Sequence, residues 1–254
     1  MKLKIIISYY SAREPDSLNQ LLNDLSRYQK NILVSINYDA DFQLKDLNLN
    51  VPHILNKNVG MNIGAWHHGY KHDTSDDLYI FLQDECFLKN HDFLNAVIEK
   101  LESDCALAML GETINKKWAH SWNTLSRSTL NSLENDHYVD GHRSPRVQCY
   151  TNTMLGWNIN PGDTGEHLRS LVWVLPGKIM RQLGGFPIGR NRGECIAAEI
   201  GVSRKIISLG YKFDQIAPIP FSYFGHREWR SDGASKLAVE TTGIASNTNL
   251  VTNT

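Results

Sequence analysis

Two acidic residues, Asp84 and Glu85, follow directly after an apolar run in this chain. The run Leu78–Leu82 reads Leu-Tyr-Ile-Phe-Leu, which is typical of a central strand in a parallel sheet. Carboxylates at the end of a buried strand are costly unless positive charge neutralises them, and ligands bind at the carboxyl ends of strands in open α/β sheets. We therefore expect this pair to hold a divalent cation, Mg²⁺ or Mn²⁺, and through it the phosphates of a substrate. The alternative is that both acids cap the turn that follows.

A loop rich in glycine and asparagine precedes this strand. It contains Asn58, Gly60 and Asn62 and leads into a predicted helix at Gly64–Lys71. Glycine and asparagine favour unusual backbone angles or close approach to another group. A helix that begins after such a loop can offer backbone N–H groups to a phosphate, although the spacing matches neither the dinucleotide-binding pattern nor a Walker loop. A purely structural turn is the alternative.

Residues 1–110 alternate between predicted strands and helices, which indicates an α/β fold with a mostly parallel sheet flanked by helices. The N-terminal residues have only a short apolar run, so we expect them to form a strand rather than a signal peptide. The predicted strands are Leu3–Tyr9, Asn31–Ile36, Val51–Leu55, Leu78–Leu82 and Cys105–Leu110, and the predicted helices are Ser17–Tyr28, Gly64–Lys71 and Asp92–Glu102.

Residues 111–166 break this alternation and are rich in polar and aromatic residues. A polar stretch of this length indicates an inserted binding lobe or lid. We expect residues 1–230 to form a single domain and residues 231–254, which are rich in Ser, Thr and Asn, to form a flexible tail. The elements predicted after the lobe are a strand at Ser170–Leu175, helices at Gly177–Leu183 and Cys195–Leu209, and edge strands at Tyr211–Phe213 and Ile216–Ile219.

The composition excludes several classes of protein. The formal net charge of −1 gives no support for broad nucleic-acid binding, which needs a basic face. The four cysteines form no Cys-x-x-Cys pair, which argues against a zinc ribbon and against a disulfide-rich secreted scaffold. No apolar run approaches the ~20 residues that are needed to span a bilayer. We therefore expect a soluble, cytoplasmic protein.

The order of the motifs in the first half resembles that of the GT-A glycosyltransferases. The initial strand–loop–helix, the Asn58-x-Gly60 segment before a helix, and the strand that ends in Gln83-Asp84-Glu85 resemble the nucleotide-sugar half of that fold. The segment Asn58–Gly64 is also similar to that of bacterial rhamnan or capsule-polysaccharide transferases. Each motif is short, and the resemblance depends on their order and spacing.

Two motifs in the second half extend the resemblance to roughly residues 3–225. The Leu183–Phe186 segment, Leu-Gly-Gly-Phe, resembles the Gly-Gly-Phe turn of family-two-like members. Ala198-Glu199, Arg204 and Gly210-Tyr211-Lys212 resemble their acidic helix motif.

The resemblance implies transfer of a sugar from a nucleotide-diphosphate sugar to a hydroxyl of a glycan or lipid-linked glycan, in surface polysaccharide synthesis. Residues 1–110 would bind the nucleotide sugar, and residues 111–230 would bind the acceptor. A lipid-linked acceptor would bring the protein to the inner face of a membrane by peripheral contact.

The resemblance also implies roles for individual residues. Asp84, Glu85 and His226 would bind the metal ion, and Gln83 stands where the family pattern has its first acid. Glu199 would be the general base on the acceptor hydroxyl, with Glu194 as a nearby rival. The residues expected to contact the donor are Ser8, Tyr9, Asp39, Asn58, Gly60, Asn62, Gln83, Asp84, Arg190 and Arg192.

Two other functions remain open at this point. A sugar nucleotidyltransferase would normally show a glycine-rich signature with a basic residue directly after the first strand, whereas residues 8–16 contain only Arg13. A non-catalytic nucleotide- or glycan-binding protein of the same fold is suggested by Gln83 at an acidic position. Glu199 could equally be an ordinary helix carboxylate, and His226 a packed loop histidine.

Overall fold

The computed structural model describes residues 1–39 and 49–229, and the predicted tail at 231–254 lies outside them. The strands are β1 Leu3–Tyr10, β2 Ile32–Tyr38, β3 His53–Lys57, β4 Leu78–Gln83, β5 Cys86–Leu88, β6 Leu107–Gly111, β7 Ile114–Asn115, β8 Leu133–Val139, β9 His142–Pro145, β10 His167–Leu168, β11 Val172–Pro176, β12 Lys212–Gln215 and β13 Phe224–His226. The helices are α1 Asp16–Asp24, α2 Met61–His72, α3 Phe93–Ser103, α4 Trp122–Ser126, α5 Arg146–Gly156, α6 Gly177–Leu183 and α7 Arg192–Ser208.

A seven-stranded sheet runs in the order β12-β6-β11-β4-β1-β2-β3. Strand β1 pairs in parallel with β2 and β4, β2 with β3, and β6 with β12. Within this sheet, β11 runs antiparallel to its neighbours β4 and β6. The predicted α/β fold with a mostly parallel sheet is therefore confirmed. Because β1, β2 and β4 are parallel, their carboxyl ends lie together at one edge of the sheet.

Helices cover both faces of the sheet, and successive side chains of β1 show how. Ile5 and Ile7 pack into a cluster with leucines of α1 and apolar residues of α3, whereas Ile6 packs into a second cluster with residues of α2, α6 and α7. This alternation follows from the two-residue period of a strand. Both faces of the strand are buried, which explains why β1 has an unbroken apolar sequence.

Residues 111–166, where the sequence predicted a lobe, contain α4, the β8–β9 hairpin and all of α5. Their aromatic residues largely serve packing, since Trp118 and Tyr150 are buried in a third apolar cluster. Helix α7 joins this cluster through Ile200 and the sheet cluster through Ala198. Glu199, which lies between these two residues, is therefore on a helix that is held from two sides.

Helix α7 begins at Arg192, earlier than the predicted start at Cys195. The reason is a cap, because the Asn191 side chain accepts a hydrogen bond of 3.0 Å from the Glu194 N–H. A cap of this kind satisfies a backbone donor that would otherwise have no partner in the first turn.

One predicted helix was too long, and one predicted edge strand was wrong. A helix was predicted at Ser17–Tyr28, but the α-helix ends at Asp24. A 3₁₀ helix, Ser26–Asn31, follows it. The edge strand predicted at Ile216–Ile219 is absent from the described part of the chain. Two prolines, Pro218 and Pro220, explain this, since proline has no N–H to give to a strand ladder.

Candidate functional site

A cavity of about 530 Å³ opens at the carboxyl ends of β1, β2 and β4. This is the edge of a parallel sheet where ligands are expected. Of the residues that the sequence analysis selected, those that line the cavity are Ser8, Tyr9, Asn58, Asn62, Gln83, Asp84, Glu85, Arg192 and Glu199. Asp39, Gly60, Arg190, Glu194 and His226 lie outside its lining.

The end of β2 presents Asn37 to the cavity, rather than the predicted Asp39. The Asn37 Nδ2 atom donates to the Met61 carbonyl at 2.7 Å, while its buried Oδ1 atom has no hydrogen-bond partner among the described residues. A buried acceptor of this kind suits an N–H group of a ligand. Asp39 is exposed and accepts a hydrogen bond from the Tyr10 hydroxyl.

The Gly/Asn loop combines lining residues with one residue that shapes the backbone. Gly60 has a φ of +83° at the start of α2, and a Cβ atom there would lie 2.6 Å from Ile188 Cγ2. Asn62 lines the cavity and donates from Nδ2 to the Ser170 carbonyl at 2.6 Å, and Gln83 Nε2 donates to the same carbonyl at 2.7 Å. These two amides fix the segment between β10 and β11 at the cavity wall.

The acidic pair after β4 is bound by Arg13, a residue that the sequence analysis did not select. The Arg13 Nη1 atom lies 3.4 Å from Asp84 Oδ1 and forms an ion pair with Glu85 Oε2. The other Asp84 oxygen, Oδ2, is buried and has no hydrogen-bond partner among the described residues. Arg13 therefore satisfies this pair only in part.

The surroundings of the two acids disfavour their negative charge. Burial raises the pKa of Asp84 to about 7, with Arg13 opposing the shift and Glu85 adding to it. Burial also raises the pKa of Glu85, against the effect of Arg13 and with the nearby Glu228 carboxyl adding to the shift. Carboxyl groups in this condition are short of positive charge.

His226 lies beside the acidic pair because β13 pairs with β5, where His226 is opposite Cys86. Its Nδ1 atom accepts a hydrogen bond from the Glu228 N–H at 3.1 Å, so Nε2 carries the hydrogen. That Nε2 atom faces Gln83 Oε1 at 3.1 Å and lies 4.0 Å from Glu85 Oε2. In this arrangement His226 donates to Gln83 and does not present a lone pair to the acids.

The side chains around Asp84 and Glu85 fit a divalent cation in their chemistry but not as a complete set of ligands. Across residues 1–39 and 49–229, no group of three or more His, Cys, Asp and Glu side chains is arranged to hold a metal ion. The chemistry of the acidic pair nevertheless fits one, since oxygen ligands suit Mg²⁺ and Mn²⁺ and Asp84 Oδ2 lacks a partner in the described chain. The fit depends on the two carboxylates, because His226 is engaged with Gln83.

Glu199 reaches the cavity from α7 with both of its oxygens engaged. Oε1 accepts a hydrogen bond from the Ser170 N–H, and Oε2 lies 3.5 Å from His167 Nε2. Burial would raise the pKa of Glu199, but His167, the Ser170 N–H and the charge of Arg169 outweigh it and lower that pKa. Glu199 is therefore ionised at neutral pH, which a proton acceptor must be, although the lowered pKa makes it a weaker base.

Behind Glu199, the buried His167 is fixed by its own contacts. Its Nδ1 atom lies 2.6 Å from the Gly165 carbonyl oxygen, so this nitrogen carries a hydrogen and donates it. The Nε2 atom lies 3.4 Å from Asn115 Nδ2 on the side of Glu199. The order from cavity to interior is thus Glu199, His167, Asn115.

Arg190 and Glu194 serve the start of α7 and lie outside the cavity lining. Glu194 Oε1 accepts from Arg190 Nη2 at 3.0 Å, and Glu194 Oε2 accepts from the Arg190 backbone N–H at 2.7 Å. The Arg190 side chain is 83% exposed. Arg192, by contrast, lines the cavity and lies 3.6 Å from Asp136.

The far wall of the cavity contains residues that sequence reasoning missed. Arg169 lies 4.0 Å from the ring centre of Trp229, which is a cation–π contact, and Glu228 precedes this tryptophan in the lining. The aromatic, basic composition of the segment around Trp229 was the available signal. The charges that line the cavity are three guanidinium groups, Arg13, Arg169 and Arg192, and four carboxyl groups, Asp84, Glu85, Glu199 and Glu228.

Comparison with solved structures identifies glycosyltransferases of the same architecture. GalNAc-T7 with UDP, GalNAc and Mn²⁺ has a TM-score of 0.51 at 10% identity, over 89% of this chain and 43% of that one. Glucosyl-3-phosphoglycerate synthase from Mycobacterium tuberculosis, with Mn²⁺, UDP and glucosyl-3-phosphoglycerate, has a TM-score of 0.50 at 11% identity. This match covers 96% of this chain and 77% of that one. The mannosyltransferase PcManGT from Pyrobaculum calidifontis, with GDP-Man and Mn²⁺, has a TM-score of 0.47 at 12% identity. This match covers 84% of this chain and 54% of that one.

At these identities the likeness establishes the fold, which is the GT-A-like fold expected from the motifs. The chain spans about half the length of PcManGT and less than half of GalNAc-T7. Nucleotidyltransferases also occur among the matched structures, with TM-scores of 0.45. No protein-family model matches the sequence, and a search of curated proteins found no match.

None of the helices in the described ranges is long and apolar enough to cross a membrane.

Proposed function

We propose that this protein is a glycosyltransferase that moves a sugar from a nucleotide-diphosphate sugar to a hydroxyl of a glycan or lipid-linked glycan. One observation carries the proposal. A single cavity at the carboxyl edge of a GT-A-like sheet is lined by the strand-end acids Asp84 and Glu85 and by the ionised base candidate Glu199. Sugar transfer from a nucleotide diphosphate requires positive charge near the leaving diphosphate and a base for the acceptor hydroxyl. The two carboxyl groups could bind a cation that supplies the charge, and Glu199 could serve as the base.

The chemistry assigned to the residues is a displacement at the anomeric carbon of the donor sugar. Glu199 takes the proton of the acceptor hydroxyl, and the oxygen of that hydroxyl forms the new glycosidic bond to the anomeric carbon. The bond from the anomeric carbon to the diphosphate breaks, and the nucleoside diphosphate leaves with the electron pair. Arg169 and Arg192 stabilise the negative charge that develops on this leaving group.

Asp84 and Glu85 would hold a divalent cation, Mn²⁺ or Mg²⁺, with His226 beside Glu85. When bound, such an ion supplies positive charge to the leaving diphosphate. The charge balance of the cavity supports this role, because its four carboxyl groups exceed its three guanidinium groups before a diphosphate enters. Ser8, Tyr9 and Asn37, which line the cavity at the ends of β1 and β2, would contact the nucleoside.

We further propose a role in surface polysaccharide synthesis, in the cytoplasm or at the inner face of a membrane. The support is the similarity of the segment Asn58–Gly64 to that of bacterial rhamnan and capsule-polysaccharide transferases. Residues 111–229, which supply Arg169, Glu199 and Trp229 to the cavity, would form the acceptor side.

The test is a calorimetric titration of UDP, GDP, CDP, ADP and TDP, with Mn²⁺ or with EDTA, followed by hydrolysis assays on the matching sugar nucleotides. The double variant Asp84→Ala/Glu85→Ala should abolish donor binding or hydrolysis while remaining folded. Asp77→Ala, at the opposite end of β4, is the matched control and should bind the donor normally. Full activity in the double variant would overturn the proposal, and binding without any donor hydrolysis would identify a non-catalytic binder.

A sugar nucleotidyltransferase is the second candidate, because Arg13 extends from the loop after β1 to the cavity. Against it, residues 11–16 contain no glycine. Incubation with a nucleoside triphosphate and a sugar 1-phosphate separates the two functions. Release of pyrophosphate would establish sugar activation and refute sugar transfer.

A further inference from the structure

Arg13 is anchored through its backbone, whereas its side chain is partly free. The Tyr9 hydroxyl donates to the Arg13 carbonyl, and the Arg13 N–H donates to the Tyr10 carbonyl at 3.0 Å. The side chain is 41% exposed and reaches the acids from the cavity side. The guanidinium can therefore leave the acids by rotation about side-chain bonds, with the backbone in place.

Arg13 forms a close ion pair with Glu85, but its contact with Asp84 is incomplete. Its Nη1 atom is 3.4 Å from Asp84 Oδ1, which is long for a charged hydrogen bond. Asp84 Oδ2 has no partner within the described ranges. Glu228 adds a third carboxyl group next to Glu85, while the nearby Arg227 is hydrogen-bonded to Gln20 at 2.8 Å. Arg13 thus faces three carboxyl groups, and the charge of Arg227 adds a smaller opposing effect at Asp84.

We propose that Arg13 is an internal cation that a divalent metal ion displaces, and that the displaced guanidinium then binds the donor diphosphate. This proposal rests on the proposed function. A divalent ion brings twice the charge of Arg13 to the acidic pair and supplies a partner for Asp84 Oδ2. Arg13 stays within the cavity after displacement, where its planar fork of N–H groups matches phosphate oxygens.

Displacement predicts effects of opposite sign for Arg13→Gln. Without nucleotide, the variant should bind Mn²⁺ roughly tenfold more tightly than the unmodified protein, because the metal no longer competes with an ion pair. With Mn²⁺ present, the variant should bind the nucleoside diphosphate roughly tenfold more weakly, because a phosphate contact is lost. A merely structural role for Arg13 would not raise affinity for the metal.

The matched control is Arg192→Gln. Arg192 also carries a guanidinium into the cavity, but its ion-pair partner is Asp136, at 3.6 Å. This variant removes the same charge from the same cavity without releasing Asp84 or Glu85. Its affinity for Mn²⁺ without nucleotide should change less than about twofold, since only longer-range, screened charge effects remain.

The experiment measures free Mn²⁺ by electron paramagnetic resonance, and UDP and GDP binding by calorimetry, for the unmodified protein and both variants. Circular dichroism confirms folding. Unchanged or weaker Mn²⁺ binding by Arg13→Gln would overturn the proposal. Nucleotide binding that is equal in Mn²⁺ and EDTA, and lost in Arg13→Gln, would also overturn it, since Arg13 would then be a permanent partner of the diphosphate.

Failure of the proposed function has a different signature. If no nucleotide binds to the unmodified protein in either Mn²⁺ or EDTA, the donor site is refuted, and with it the second half of the displacement proposal. The comparison of Mn²⁺ binding without nucleotide still decides whether Arg13 and the metal compete for the acidic pair.

Discussion

Asp84→Asn should stabilise the metal-free protein, and the gain should grow with pH. The ordinary pKa of an aspartate, 3.8, rises to about 7 at this position because the carboxyl is buried. At about 1.4 kcal/mol for each tenfold change in proton affinity, holding Asp84 ionised in the folded state costs about 4 kcal/mol. Asparagine removes this cost because it is neutral at every pH and similar in shape.

The sign follows from proton linkage. A carboxyl whose pKa is higher in the folded than in the unfolded protein favours folding while it is protonated, and this contribution is lost as pH rises through about 7. The free energy of unfolding of Asp84→Asn should therefore exceed that of the unmodified protein by about 2 kcal/mol at pH 5 and about 4 kcal/mol at pH 8. These values apply in EDTA, because a bound metal ion would stabilise the ionised form.

The measurement is urea unfolding followed by circular dichroism from pH 5 to pH 8 in EDTA. Asp73→Asn provides a control of opposite sign, since hydrogen bonds from Ser75 lower the pKa of Asp73, and its loss should destabilise the protein at neutral pH. A gain for Asp84→Asn that is absent at pH 8, or that does not change with pH, would refute the assignment of Asp84 as a buried acid short of positive charge.

Three further variants and one control variant test the base, the loop and the cavity wall. Glu199→Gln keeps an oxygen for the Ser170 N–H and should lower kcat by about 10²–10⁴-fold with little change in donor affinity; steady-state kinetics that show an unchanged kcat would move the base elsewhere. Gly60→Ala should lower the free energy of unfolding by about 1–3 kcal/mol, because φ is +83° and its Cβ would meet Ile188. Gly184→Ala, which has positive φ but open space around its Cβ, should cost less in the same denaturation experiment. Trp229→Ala should lower the free energy of unfolding by about 0.5–2 kcal/mol through loss of the cation–π contact with Arg169, and a denaturation curve equal to that of the unmodified protein would contradict this.

Local sequence pattern was sufficient for the sheet and for the site edge. The apolar run at Leu78–Leu82 predicted a strand, and the structure places it as β4 between β1 and β11. Asp84 and Glu85 line the cavity because they follow the carboxyl end of this strand. That end could be located from the sequence alone. Glu199 could be selected from its motif, although its contact with His167 depends on the packing of α7 against β10, which no local pattern reveals.

Contacts between distant segments account for what the sequence could not predict. Arg13 meets Asp84 across 71 residues, and nothing in the composition of the loop after β1 distinguishes a guanidinium that enters the cavity from one that faces solvent. Asn37 belongs to β2 whereas Asp39 lies beyond its end at Tyr38, so the path of the chain after the strand decides which of the two lines the cavity. Glu194 is acidic and close to Glu199, but the Asn191 cap turns it toward Arg190.

The cavity contains one type of group, the carboxyl, in two opposite electrostatic states. Asp84 is buried and Glu85 is half-buried, both with too little positive charge, so their pKa values rise, whereas contacts with His167 and the Ser170 N–H lower the pKa of Glu199. Groups of the same chemistry acquire different roles when their surroundings separate their pKa values in this way. The raised pair gains most from an added cation, and Glu199, with its lowered pKa, is ionised at neutral pH, which is the form that a proton acceptor needs. That division matches a reaction in which a diphosphate leaves at one end of the cavity while a hydroxyl loses its proton at the other.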